Sequence, residues 1–234
     1  MLRLPRLAGV SNPYLPNASA PVVHSLVADD IRISRAGTSF TVQGSPVQLS
    51  LIGERFVDLA LDAIAVALEN GSDLASAISS VEAVTSAGEW SMTALTPASG
   101  ILVLNDSAEA TANSTSASLK TLAELALDGS RSIAVLGELT DTGDEWREEH
   151  DRVGRLVVRL NIAKLVVVGD AARHIHNAAG LEGSWDGESL LVGTPEEAYD
   201  LLNKELRNGD VVLVKSSRAA GLGALGDRLG GVVA

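Results

Sequence analysis

Cysteine is absent from this chain of 234 residues, which removes disulfides, thiolate nucleophiles and thiolate-bound zinc and takes away the usual signature of an oxidising compartment. Aromatic residues are scarce at 3%, so the core must come from aliphatic side chains. With 46% hydrophobic residues the chain can bury one. Basic residues are outnumbered, 18 Lys and Arg against 30 Asp and Glu for a net charge of −12. That balance argues against nucleic acid and anionic membrane surfaces, both of which reward basic patches. No apolar run approaches the roughly 18 residues of a membrane span, and residues 1–20 hold no stretch of signal-peptide length. Missing too is a G-x-x-x-x-G-K-[ST] loop, whose backbone N–H groups and Lys cradle phosphates. The expectation is an acidic, cytoplasmic protein whose residues 1–20 form a flexible arm.

What is present reads as two units. Over residues 21–52 apolar and polar positions alternate, broken at Arg35-Ala36-Gly37 and Gly44-Ser45-Pro46, which implies a small β-meander. From Glu54 to Glu69 the apolar positions Val57, Leu61, Ile64, Ala65 and Leu68 recur at helical spacing and Asn70-Gly71 ends the run. A second helix is expected over about 73–84. Beyond Gly88 the runs ILVLN, SIAVLG, KLVVVG, SLLVG and VVLVK alternate with helical stretches near 114–127, 145–160, 171–179, 195–206 and 219–229. Such alternation means βαβ units, hence an α/β fold with a mostly parallel sheet covered by helices on both faces. The boundary falls near Ser86-Ala87-Gly88, between a small α+β piece over 21–86 and an α/β domain over 87–234.

The stretch from Ile101 to Leu119 is the most informative. A β-branched run stops at Asn105-Asp106-Ser107 and a small-residue loop leads into a helix. In open α/β sheets ligands bind at this carboxyl end of a strand. The same residues also suit a turn and a helix cap, and both readings stand. Lys215-Ser216-Ser217-Arg218 ends the last strand, a basic pair beside hydroxyls that suits a carboxylate or phosphate, or serves as solvated charge. Glu138 and His150 form either a structural hydrogen-bonded pair or support for a site. His174 and His176 are two apart and do not share a helix face, so zinc is not expected. Gly221 to Gly226 formally matches G-x-G-x-x-G, but it follows the last strand and only eight residues remain after it, so no dinucleotide fingerprint is read there. Trp90, Trp146 and Trp185 read as core or rim residues.

These stretches resemble the MurF family of Mur ligases, which add D-alanyl-D-alanine to the peptidoglycan precursor UDP-MurNAc-tripeptide. Asn105-Asp106-Ser107 matches the start of the family's NDSYNANPDSM, with Ala108, Glu109, Thr111 and Ala112 in place of Tyr, Asn, Asn and Pro. Gly137-Glu138-Leu139, Gly143 and His150 follow its GEMxELG…H pattern, with Asp141 and Thr142 for Glu and Leu. Lys215 to Arg218 stands where the family has KGSR. The resemblance implies a Rossmann-like C-terminal Mur ligase domain over 87–234 and a remnant of the central domain over 21–86. It also implies an Asp106 that faces a nucleotide ribose, a Lys215–Arg218 segment that meets the dipeptide, and ATP and Mg as the family's cofactors. Two departures matter. Against GEHxxxNAL the chain reads Gly53-Glu54-Arg55-Phe56-Val57-Asp58-Leu59-Ala60-Leu61, so Arg55 and Leu59 replace both adenine contacts. Against SRWRME it reads Ala87-Gly88-Glu89-Trp90-Ser91-Met92-Thr93, putting Glu89 or Ser91 where an Arg reaches the γ-phosphate, and a carboxylate there repels a triphosphate.

The resulting expectation is a MurF-like protein of peptidoglycan precursor synthesis without autonomous ATP-dependent ligation, acting as a binding or regulatory module. It has no catalytic residue or metal of its own and needs no cofactor alone. Its ligand residues are Asn105, Asp106, Ser107, Lys215, Ser217 and Arg218, supported by Glu138 and His150, for a small anionic or dipeptide ligand. Two rivals stand beside it: one part of a split D-alanyl-D-alanine-adding ligase completed by another chain, and a pure protein-interaction module. The expected partner is a second copy or another Mur-type protein, with neither nucleic acid nor membrane.

Overall fold

The computed structural model describes residues 26–127, 129–140, 143–183 and 185–232. The arm expected over 1–20, the start of the meander at 21–25, and the substituted Asp141 and Thr142 lie outside the described residues.

Strands β1 (Ala28–Ser34), β2 (Gly37–Val42) and β3 (Ser45–Leu49) form an antiparallel sheet in that order. The turn before β2 depends on Gly37, which has φ +133 and whose Cβ would lie 2.0 Å from the Leu49 carbonyl oxygen, so only glycine lets β2 lie on β3. The edge strand β1 is interrupted. Its register shifts between Asp29 and Arg32, and Asp30 has φ 54, the kind of bulge that blunts an edge against further pairing. Helices α1 (Arg55–Glu69) and α2 (Leu74–Glu82) follow. Phe40, Val42, Val47 and Leu49 of the meander bury against Phe56, Ala60, Ile64 and Ile78 of these helices. The meander thus packs on the helical pair, as a hairpin unable to stand alone must.

The second sheet has six strands in the order β4-β5-β9-β6-β7-β8. They are β4 (Thr93–Leu95), β5 (Leu102–Asp106), β6 (Ser132–Leu136), β7 (Lys164–Val168), β8 (Glu188–Val192) and β9 (Val211–Lys215). All neighbours are parallel except β4, which pairs antiparallel with β5. Helices α3 (Ala112–Leu125), α4 (Trp146–Arg159) and α5 (Arg173–Gly180) cover one face, while α6 (Pro195–Glu205) and α7 (Gly223–Leu229) cover the other. The expected α/β architecture with helices on both faces is therefore present. Two boundaries differ. α3 starts at Ala112 because Thr111 caps it, accepting from the Ser114 N–H at 3.1 Å, and α7 starts at Gly223 because residues 218–220 form a 3-10 turn ended by left-handed Gly221.

Strand alternation sorts the core. Leu102, Leu104 and Leu213 face α3, and Val103, Val212 and Val214 face α7. The first of these clusters runs from Phe40 through Ile64 and Leu119 to Leu213, so the apolar core is continuous across the boundary expected near residue 87. Arg35, in the β1–β2 turn, reaches across as well, donating to Ser130 Oγ at 2.8 Å and to the Gly209 carbonyl at 2.7 Å. Among the described residues no helix is long and apolar enough to cross a membrane.

Candidate functional site

Parallel pairing of β5 with β9 puts Asp106 opposite Lys215 at the strand ends. Both residues point to the α3 face and are almost sealed, Asp106 at 2% and Lys215 at 1% exposure. Lys215 Nζ sits 2.8 Å from Asp106 Oδ2 and donates to the Glu109 carbonyl at 2.5 Å. Ser118 Oγ, from α3, donates to the same carboxylate oxygen at 2.6 Å. The other oxygen, Oδ1, accepts from the Met92 N–H at 3.0 Å and lies 3.5 Å from the Arg55 guanidinium. Arg55 in turn donates to Ser91 Oγ at 3.0 Å and lies 4.7 Å over the Phe56 ring. Burial pulls the Lys215 ammonium below the ordinary lysine value, and the Asp106 carboxylate works against that pull. One carboxylate is thus enclosed by two cations and two neutral donors of its own chain.

The other candidate residues disperse. Asn105, one step before Asp106, points to the opposite face, where Nδ2 donates to the Gly223 carbonyl at 2.9 Å and to Asp227 Oδ1 at 2.9 Å. Ser107 is buried and donates to the Val214 carbonyl at 3.2 Å. Ser217 closes the 3-10 turn, its Oγ accepting from the Ala220 N–H at 3.2 Å, and its own N–H donates to the Glu138 carbonyl at 3.0 Å. Arg218 turns outward, 3.3 Å from Glu89 Oε2 and 5.0 Å over the Trp90 ring. Of the two basic residues expected to converge on Asp106, Lys215 does so and Arg218 does not. Neither Asp106 nor Ser107 caps the helix, a task Thr111 performs.

The Glu138–His150 pair needs a correction in its partners. Glu138 has an exposed side chain, while His150 is buried and bonds to backbone. Its Nε2 accepts from the Leu139 N–H at 3.2 Å, so Nδ1 carries the proton and donates to the Trp146 carbonyl at 2.6 Å. Burial lowers its pKa below the usual histidine value. His174 lies 3.5 Å from Asp151 and His176 2.7 Å from Ser189 Oγ, so the two go separate ways. Among the described residues no group of three or more His, Cys, Asp or Glu is placed to hold a metal ion. Leu59 is 59% exposed.

Sequence reasoning missed Ser118, Met92 and the cationic role of Arg55. One signal was available: Thr115, Ser118 and Thr121 recur at every third position of α3 and are all buried, a polar stripe that an apolar core does not explain. Another is conformational and invisible in a sequence. Trp90 and Met92 have φ 55 and 54, a left-handed conformation that costs of order 1–3 kcal/mol for such residues. Trp90 is held by Nε1 donating to Asp227 Oδ2 at 2.8 Å, and the loop delivers the Met92 N–H to Asp106.

The family model for "Mur ligase, glutamate ligase domain" matches residues 92–218. The UDP-N-acetylmuramoyl-tripeptide–D-alanyl-D-alanine ligase of Mycobacterium leprae is 40% identical over 198 residues, covering 79% of this chain and 38% of that protein. The ligase of the same name from Mycobacterium bovis is 35% identical over 266 residues, covering 97% of this chain and 52% of that protein. The chain therefore spans about half or less of the length of these curated relatives. A crystal structure of MurF from Acinetobacter baumannii superposes with TM-score 0.75 at 22% identity, covering 88% of this chain and 45% of the other. MurF ligase from Thermotoga maritima, solved in complex with ADP, gives TM-score 0.73 at 18% identity, covering 88% and 46%. These structural likenesses speak for the fold.

Proposed function

This chain belongs to the Mur ligase family, and we propose that it is a MurF-like module of cytoplasmic peptidoglycan precursor synthesis that binds or regulates without autonomous ATP-dependent ligation. The observation that carries this reading is the self-occupied carboxylate. Asp106, which resembles the family's ribose-facing residue, spends Oδ2 on Lys215 and Ser118 and Oδ1 on Met92 and Arg55. A nucleotide hydroxyl arriving there would have to displace one of them inside a site only 2% exposed. Glu89, beside the same loop, adds a charge of the wrong sign for a triphosphate. As they stand, these residues do not fit a nucleotide. The ligand proposed is instead a small anion or dipeptide, and the partner a second copy or another Mur-type protein.

Calorimetry of the 234-residue chain with ATP–Mg²⁺ tests this. No binding heat is expected near ~1 mM nucleotide. A dissociation constant below ~100 μM, about 5 kcal/mol or more of binding, would overturn the reading.

A second reading is favoured by the intact Asp106–Lys215 pair: one part of a split ligase, in which another Mur-type chain supplies the phosphate cradle. It requires ATP turnover on mixing with such a chain and D-alanyl-D-alanine. Turnover equal to that of the second chain alone would remove it.

A further inference from the structure

On the sheet face turned away from Asp106, α6 and α7 flank a groove of about 640 Å³. That is within the usual range for a small-molecule site, about 300–1,000 Å³. Most of its lining is apolar, with Ala224, Leu225 and Val232 contributing, and four polar side chains line it: Glu196 and Tyr199 from α6, and Asp227 and Arg228 from α7.

The charges in this groove are uncompensated. Arg228 lies flat on Tyr199, its guanidinium carbon 3.4 Å from the ring centroid, and makes no ion pair among the described residues. Its neighbour Asp227 also lines the groove, but its carboxylate accepts from Trp90 Nε1 at 2.8 Å and Asn105 Nδ2 at 2.9 Å. Glu196, in the first turn of α6, has no ion-pair partner among the described residues either. One groove thus carries a fixed cation and a hydrogen-bonded carboxylate on one helix and a free carboxylate on the other, above an apolar floor. Stacking on Tyr199 occupies the face of the guanidinium and leaves its N–H edge available for a carboxylate. It also holds the side chain in place before binding, which spares part of the ordering cost.

We propose that the α6–α7 groove is a binding site for a free apolar amino acid in its zwitterionic form. The carboxylate meets the N–H edge of Arg228, the ammonium meets Glu196, and the side chain covers Leu225 and Val232. Glu196 disfavours a dianion and Arg228 a cation, so the two residues together select the zwitterion. This site is separate from the Asp106 cluster and does not depend on the function proposed above.

Amide NMR titration of the full chain tests the assignment with three probes: L-leucine, N-acetyl-L-leucine without the ammonium, and L-leucinamide without the carboxylate. Leucine should produce saturable shifts at residues 196–199 and 224–232. Each derivative should bind about five-fold more weakly, the size of one exposed ion pair. Glu196→Gln should make leucine and N-acetyl-leucine bind alike, and Arg228→Gln should do the same for leucine and leucinamide. Both positions are exposed, so the fold survives, which amide dispersion verifies. Ala224→Trp should fill the groove and abolish the shifts. Absence of saturable shifts up to tens of millimolar leucine overturns the proposal. So does an order of the three probes that both charge variants leave unchanged.

Discussion

A carboxylate with 2% of its surface exposed needs partners already in place, and Asp106 has them in Lys215, Ser118, Met92 and Arg55. Removing one partner of a buried ion pair leaves a charge with nowhere to go. Lys215→Met keeps most of the stem and loses the charge, and should cost about 3–5 kcal/mol in urea unfolding. Arg55→Ala should cost under about 1 kcal/mol, because its side chain is 31% exposed and its guanidinium is 3.5 Å from Asp106. Equal losses from the two variants would show that the pair with Lys215 is not the anchor. His150 supplies a pH effect. The folded protein holds it neutral, with a pKa lowered by burial, whereas the unfolded chain titrates near ~6.5. As pH falls through that value the unfolded state takes up more protons, so stability is complete above about pH 6.5 and declines below it until the folded form also protonates. His150→Gln should flatten the decline that begins as pH falls below about 6.5. An unaltered slope would assign it to other groups.

Alternation along β5 divides one motif between two functions. Asp106 joins the α3 face, and Asn105 fastens α7 through Gly223 and Asp227. The three residues Asn105-Asp106-Ser107 look like a single loop site in the sequence because adjacency in the chain suggests adjacency in space, which a strand contradicts. Helices obey their own constraint where α4 crosses α5. A Cβ on Gly154 would lie 2.3 Å from the Ile175 carbonyl and 2.9 Å from the Ala178 Cβ. Gly154→Ala should therefore destabilise by about 1–3 kcal/mol through overpacking, despite the higher helix propensity of alanine. Thermal melts would read it, and unchanged or raised stability would mean that α5 yields without cost. The short strand β4 was not legible at all, since TAL carries no alternation long enough to recognise and owes its existence to the free edge of β5.

Over the whole molecule, the continuous cluster from Phe40 to Leu213 and the reach of Arg35 to Ser130 and Gly209 join the meander and first helices to the larger sheet. One cooperative unfolding transition follows from such a shared core. All three tryptophans, at 90, 146 and 185, lie beyond the expected boundary, so their fluorescence reports the larger unit, while far-UV circular dichroism reports both. The two signals should coincide through a urea titration. Separate midpoints would show that the meander and its helices unfold alone, as a detachable remnant. Self-pairing through β1 faces the bulge at Asp29–Arg32, so a dimer, if one forms, should survive charge substitutions along that strand.

Local sequence by itself determined the helix periods, the β-branched strands with their βαβ alternation, and the motif residues that carry the family resemblance. Each depends on neighbours within a few positions along the chain. Only the tertiary structure decided that Arg55 sits beside Asp106, that Lys215 turns inward while Arg218 turns out to Glu89, and that Asn105 serves the opposite face. Those outcomes depend on strand order and register, which bring together residues as far apart as 55, 106 and 215, and no local pattern encodes that geometry.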